Sequence, residues 1–230
     1  MKDFSKLEKT LKIKFKNQDL LRQAFVHRSY INENPGFSLG HNERLEFLGD
    51  AVLELIVTEY LYQNYPNPEG ELTNWRASLV NGQMLAKIAR KIKMEEYLYL
   101  SKGESKDNNT KARNYILANA FEALTGAVYL DQGYKTTKEF ITENVIPELP
   151  HILSNHLYLD AKSKFQEKAQ DKLGITPTYQ VLDESGPDHA KKFKVGVYLE
   201  KELVSTSSGS SKQEAQTKAA ARALKKKDWE

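Results

Sequence analysis

Cysteine is absent from this chain. That excludes disulfide staples and thiolate-bound metals, and it fits a reducing interior. Long apolar runs are missing too. No stretch is long enough to span a bilayer, and the first residues, Met1-Lys2-Asp3-Phe4-Ser5, are charged where a signal peptide would be apolar. The expectation is a cytoplasmic protein with no membrane partner. Charge of one sign is also scarce. The formal net charge is +3 over 230 residues, too little to announce nucleic acid, although the basic excess lies in the C-terminal third. Histidine pairs with metal-ligand spacing are lacking, since His151 and His156 sit in a Pro-broken connector.

What is present divides the chain in two. Through residue 153 the apolar spacing is helical. Asn17 is placed to cap a helix carrying Leu20, Leu21, Ala24 and Phe25. A longer helix starts at Asn42 and runs to about Tyr65, where Pro66 and Pro68 stop it. Further helices are expected over 72–91, 114–130 and 136–145, with a polar run of turn formers at 101–111. Pro147 and Pro150 close this region, and 154–159 reads as a linker.

The period then changes. A helix is expected over 161–173, strands over 179–183, 193–199 and 202–207, and a turn at Gly186-Pro187. Ser211-Lys212-Gln213-Glu214 has capping-box form and opens an Ala-rich helix through Leu224. The fold class is multidomain: an all-α domain over 1–153, then an α-β-β-β-α module over 160–228.

Chemistry concentrates at the start of the long helix. Glu43, Glu46 and Asp50 stand at i, i+3 and i+7, so they share one side, while Leu45, Phe47, Leu48, Val52 and Leu53 fill the others. Carboxylates near a core are costly unless paired or metal-bound. A second helix, 116–130, is apolar almost all round yet carries Asn119 and Glu122 at i, i+3. Packed face to face, the two helices would offer oxygen ligands to a hard divalent cation, and Mg²⁺ suits a few carboxylates completed by water and phosphate. The other reading is an acidic stripe that is solvated or paired with Arg44 or Arg76.

Asn42-Glu43-Arg44-Leu45-Glu46-Phe47-Leu48-Gly49-Asp50 resembles the signature of the ribonuclease III family. The likeness extends through His27-Arg28-Ser29, Glu69-Gly70, Arg76-Ala77-Ser78-Leu79-Val80, Gly103-Glu104 and the helix over 116–131. It covers nearly the whole chain, because that family commonly appends a double-stranded-RNA-binding domain and the C-terminal module looks like one.

The resemblance implies an endoribonuclease that hydrolyses double-stranded RNA to 5′-phosphate and 3′-hydroxyl ends, processing ribosomal and other structured precursors, messengers included. Glu46, Asp50 and Glu122 match metal ligands, and Asp50 and Glu122 match catalytic positions. Glu43 and Glu69 match supporting acidic positions near the cleavage valley. Asn119 stands where the family usually has Asp; its amide oxygen can still ligate the metal but brings no charge. Mg²⁺ is the implied cofactor, with Mn²⁺ as its substitute, and no small-molecule cofactor is implied. A homodimer is implied, with Phe47 at a position buried across the dimer contact, although an ordinary core Phe reads nearly as well. A metal that activates water needs no nucleophilic side chain. His27 reads as a hydrogen-bonded structural residue, His41 as a solvent-facing residue at the helix start, and Glu54 as peripheral.

The module carries three separated sets suited to A-form RNA, whose shape is read through minor-groove hydroxyls and phosphates. Gln166, Glu167 and Gln170 share one side of its first helix and suit ribose hydroxyls. Gly186, Pro187 and His189 lie in a loop that can reach a second minor groove. Lys212 and Lys218, early in the last helix, suit phosphates, with Gln213 where a second basic residue is usual. The main alternative is a duplex-RNA-binding protein whose nuclease centre is impaired at Asn119. A helical phosphohydrolase acting on small nucleotides explains neither the module nor the lack of a His–Asp metal pair.

Overall fold

Asn17 accepts hydrogen bonds from the amides of Asp19 and Leu20, which starts a helix at Gln18 as its side chain dictates. The computed structural model describes residues 2–106, 111–158, 160–187 and 191–229. They fall into two units, Met1–Asn155 and His156–Glu230.

In the first unit the helices are α1 (Ser5–Leu11), α2 (Gln18–Ala24), α3 (Arg28–Glu33), α4 (Glu43–Asn64), α5 (Glu69–Val80), α6 (Gly82–Lys91), α7 (Lys102–Lys106), α8 (Lys111–Asn144) and α9 (Leu149–Ser154). The single helix expected over 72–91 is two. Asn81 takes extended backbone, with ψ 154°, and its side chain accepts from the Met84 amide, so α6 begins afresh with its own cap. The two helices expected at 114–130 and 136–145 are both present: α8 is two helical stretches in succession, separated at Gly133, whose φ of 81° and ψ of 178° are not helical.

α4 and α8 pack against each other as the central pair of this unit. Leu53, Ile56 and Val57 from α4 and Leu117, Phe121, Leu124 and Val128 from α8 are fully buried. Two glycines set how closely they approach. A Cβ on Gly49 would overlap the backbone carbonyl of Glu122, and one on Gly126 would overlap that of Leu45. The helices therefore meet backbone to backbone beside the acidic residues. α4 is not covered all round, as its apolar spacing suggests it should be. Phe47 is 82% and Tyr62 80% exposed, and Ala51 and Leu55 are exposed between them.

The second unit begins at α10 (Ala161–Leu173), capped by Asp160, whose carboxylate accepts from the amides of Lys162 and Ser163. Strands β1 (Thr178–Ser185), β2 (Lys192–Leu199) and β3 (Glu202–Gly209) form an antiparallel sheet in sequence order, and α11 (Lys212–Lys226) follows. Gln180 pairs with Gly196, and Gly196 with Thr206, which fixes the register. Val197, Leu199 and Val204 from the sheet meet Phe165 and Ala169 of α10 and Ala219, Ala220 and Ala223 of α11 in one core. Trp229, one residue past the expected end at 228, belongs to it. Its ring stacks on Phe165 with centroids 5.4 Å apart.

Candidate active site

Close approach of α4 and α8 brings together four of the residues singled out in the sequence. Asn119 of α8 donates a side-chain hydrogen bond to the Glu46 carboxylate of α4. Glu122, one turn further along α8, is half-buried and feels the charges of Asp50, Glu46 and Glu54. Burial is the largest influence on Glu122, and with those like charges it pushes the carboxyl up to about 8. Every neighbouring charge that acts on it is negative. Burial also raises Glu46, as do Glu43 and Asp50, while the Asn119 hydrogen bond works the other way. Asp50 itself is exposed. The group consists of hard oxygen donors without a basic counter-charge among the groups acting on Glu122, which suits a hard divalent cation rather than an imidazole or thiolate metal. Among the described residues no three acidic, His or Cys side chains are drawn tightly enough to enclose an ion. The four residues are neighbours rather than a closed cage.

Glu43 has a different setting. Its carboxylate oxygens lie 3.6 Å from Arg28 Nη1 and 3.7 Å from His41 Nδ1. His41 is thus half-buried, with that nitrogen turned toward Glu43 instead of solvent. His27 caps α3, its Nδ1 2.8 Å from Ser29 Oγ, and burial lowers its pKa. Among the described residues neither Arg44 nor Arg76 forms an ion pair with the acidic stripe; Arg76 donates to Thr58 Oγ1 at 3.0 Å.

Glu69 is not brought to this group within the chain. It is not among the charges acting on Glu46 or Glu122. It lies in a hollow of about 460 Å³ with Thr58, Tyr62 and Arg76, and accepts from Thr73. Thr58 is about 18 Å along the α4 axis from Glu46. Glu54, read as peripheral, does act on Glu122. Its spacing of four residues from Asp50 was the signal for that, since i, i+4 residues are neighbours on a helix.

In the second unit, Gln166, Glu167 and Gln170 are exposed along α10, opposite the buried Phe165 and Ala169. Gly186 has a φ of 93° and begins the turn after β1, with Pro187 exposed beside it. His189 lies outside the described residues. Lys212 and Lys218 are exposed at the start of α11. The Ser211 hydroxyl accepts from the Glu214 amide, but the Glu214 carboxylate accepts from the Ser210 amide, one residue earlier than a capping box predicts.

Residues 17–149 match a family model described as ribonuclease-III-like, and residues 161–227 match the double-stranded RNA binding motif. A protein named Ribonuclease 3 from a Nitratiruptor species is 44% identical over 226 residues, which is 98% of this chain and 97% of that one. Another of the same name, from Natranaerobius thermophilus, is 46% identical over 226 residues, covering 98% and 96%. Among solved structures, the nuclease domain of ribonuclease III from Campylobacter jejuni aligns with a TM-score of 0.58 at 37% identity, covering 64% of this chain and 99% of that one. That structure is described as showing flexibility in a region involved in dimer formation.

Proposed function

This chain belongs to the ribonuclease III family and is an endoribonuclease acting on double-stranded RNA, and from that premise we propose which of its residues do the work. The family is metal-dependent. Glu46, Asp50, Asn119 and Glu122 hold the metal, Mg²⁺ with Mn²⁺ as substitute, and Asp50 and Glu122 are the catalytic pair. The observation that carries this is Glu122 itself: a half-buried carboxylate whose acting neighbours are all acidic, with Asn119 tying the second helix to Glu46.

The bound metal supplies charge to activate water and to stabilise the phosphoryl transition state and its leaving oxygen. The chain's own contribution is position. Gly49 and Gly126 let α4 and α8 approach until side chains from both face one phosphodiester. Asn119 orients Glu46 by its hydrogen bond. Glu43, braced by Arg28 and His41, flanks the group, while Glu69 supports the cleavage valley from its own hollow.

We assign the endonuclease domain to residues 1–153, the connector to 154–159 and the RNA-binding domain to the residues from 160 through Trp229. In that domain Gln166, Glu167 and Gln170 meet ribose hydroxyls, the loop of Gly186, Pro187 and His189 reaches a second minor groove, and Lys212 and Lys218 meet phosphates. The enzyme is a homodimer through the exposed face of α4. Phe47, Ala51, Leu55 and Tyr62 form one apolar stripe there, larger than isolated surface residues explain. Its substrates are ribosomal and other structured precursor RNAs, and the lack of cysteine supports a reducing, cytoplasmic setting. No helix of the described residues is long and apolar enough to cross a membrane. A binding protein with an impaired centre is not favoured, since relatives at 44–46% identity over nearly the full chain carry the enzyme's name.

The test is cleavage of long duplex RNA in Mg²⁺ by the wild-type chain, Glu122→Gln and Asn119→Asp. Wild-type cleavage that Glu122→Gln abolishes, with duplex binding retained, supports the assignment. Asn119→Asp should lower the Mg²⁺ concentration needed for half-maximal rate. Undiminished cleavage by Glu122→Gln overturns the assignment.

A further inference from the structure

The lysines assigned to duplex phosphates are already paired, within their own unit, to two glutamates. Glu184, near the end of β1, has Oε1 3.0 Å from Lys212 Nζ and Oε2 3.6 Å from Lys191 Nζ. Glu214, in the first turn of α11, has Oε1 2.7 Å from Lys218 Nζ. Its other oxygen accepts from the Ser210 amide and hydroxyl, each at 2.6 Å. Lys191, Lys192, Lys218, Ser208, Ser210 and Glu214 line one open hollow of about 450 Å³. A cationic surface built from the ends of β1, β2, β3 and α11 thus carries two carboxylates at the distance a phosphate oxygen would take.

We propose that Glu184 and Glu214 are resident competitors for the phosphate-contacting lysines, holding Lys212 and Lys218 in intramolecular pairs that duplex RNA must displace. The inference rests on the assignment of those two lysines to phosphates. The competition persists at neutral pH. The Lys212 hydrogen bond and charge hold Glu184 below the usual carboxylate range, and Lys218 with Ser210 pushes Glu214 down to about 2. Exposed pairs of this kind are individually weak, so the effect is graded rather than a block. An anion meeting one lysine gains little by displacing a carboxylate that is already there. A duplex that engages all three contact regions displaces both while gaining contacts elsewhere. The acids therefore lower affinity overall and favour extended duplex over isolated phosphate.

The experiment measures binding of the full chain to a fluorescent RNA duplex in EDTA by anisotropy. Glu184→Gln and Glu214→Gln should each tighten binding about two- to fivefold. Gln keeps the oxygen that accepts from Ser210, and Glu184 caps no helix, so at least one variant keeps its fold. The gain from Glu184→Gln should vanish in a Lys212→Ala background. Glu202→Gln removes the same charge from the same unit, where the partner is Lys227 at 3.0 Å, and should have a smaller effect. Unchanged or weaker binding by both Gln variants overturns the proposal, as does equal tightening by Glu202→Gln. If Lys212→Ala and Lys218→Ala leave binding unaltered, the assignment of those lysines fails and the inference falls with it. If they weaken binding while the Gln variants do nothing, the inference alone fails.

Discussion

Gly49 of α4 lies directly against the backbone carbonyl of Glu122 on α8, with no room between them for a methyl group. The fold and the proposed active site therefore share one contact. Gly49→Ala must push the helices apart, at a cost of about 1–3 kcal/mol by the usual scale of overpacking. For a domain of this size that lowers the melting temperature by about 2–4 °C per kcal/mol. Cleavage should fall further than stability does, because the shift separates Glu122 from Glu46 and Asp50. Thermal unfolding and the cleavage rate well below the transition check both. A fully active Gly49→Ala protein would show that the spacing is not required.

The raised pKa of Glu122 has a signed consequence for the metal-free protein. Its folded value is about 8 against an ordinary 4.5. Protonation therefore favours the folded state, a contribution fully present below 4.5 and lost as pH rises through about 8. In EDTA the melting temperature should fall over that window, and Glu122→Gln should flatten the fall. Adding Mg²⁺ at the upper end should restore stability to the wild type more than to the variant. A profile unchanged by Glu122→Gln contradicts the placement of its carboxyl among like charges.

Phe47 is 82% exposed at the head of an apolar stripe. Phe47→Asp should convert the enzyme to monomer in analytical ultracentrifugation with little change in helix content, because the side chain contributes nothing to the core of its own chain. A dimer that survives this change would move the interface elsewhere.

Trp229 closes the core of the second unit against Phe165. Trp229→Ala should cost that unit about 3–5 kcal/mol and weaken duplex binding through unfolding rather than through lost contacts. Circular dichroism melts of the variant beside binding titrations would separate the two. Intact binding with an unchanged melt would deny the ring its structural role.

Much of this was legible in the sequence where one side chain decides local geometry. Asn17 and Ser211 cap the helices that follow them, as their side chains suggested, and the change of period after the linker marked the strands. The spacing of Glu43, Glu46, Asp50, Asn119 and Glu122 pointed to the site, because helical period alone puts such residues on one side. What stayed hidden depended on partners outside the local window. The boundary between α5 and α6 is the exception: apolar spacing runs unbroken across it, but Asn81-Gly82, with the Asn81 side chain capping the Met84 amide, is a local signal that the period alone passes over. The exposed face of α4 looks like core, since periodicity counts apolar residues without saying what covers them. Trp229 lay beyond the last periodic residue, and its partner Phe165 is far away in sequence. Glu54 shared the helix face but no motif; its spacing from Asp50 put it beside the group, and the packing of α8 brings Glu122 within reach of its charge.

Whether α4 and α8 share one metal is decided by crystals of the full chain grown with Mn²⁺ and examined by anomalous diffraction. An anomalous peak is expected at each active site, ligated by Glu46, Asp50 and Glu122 with the Asn119 amide oxygen alongside, and no such peak in Glu122→Gln crystals. Manganese bound elsewhere, with those four side chains left in the arrangement they have without it, would refute the shared site.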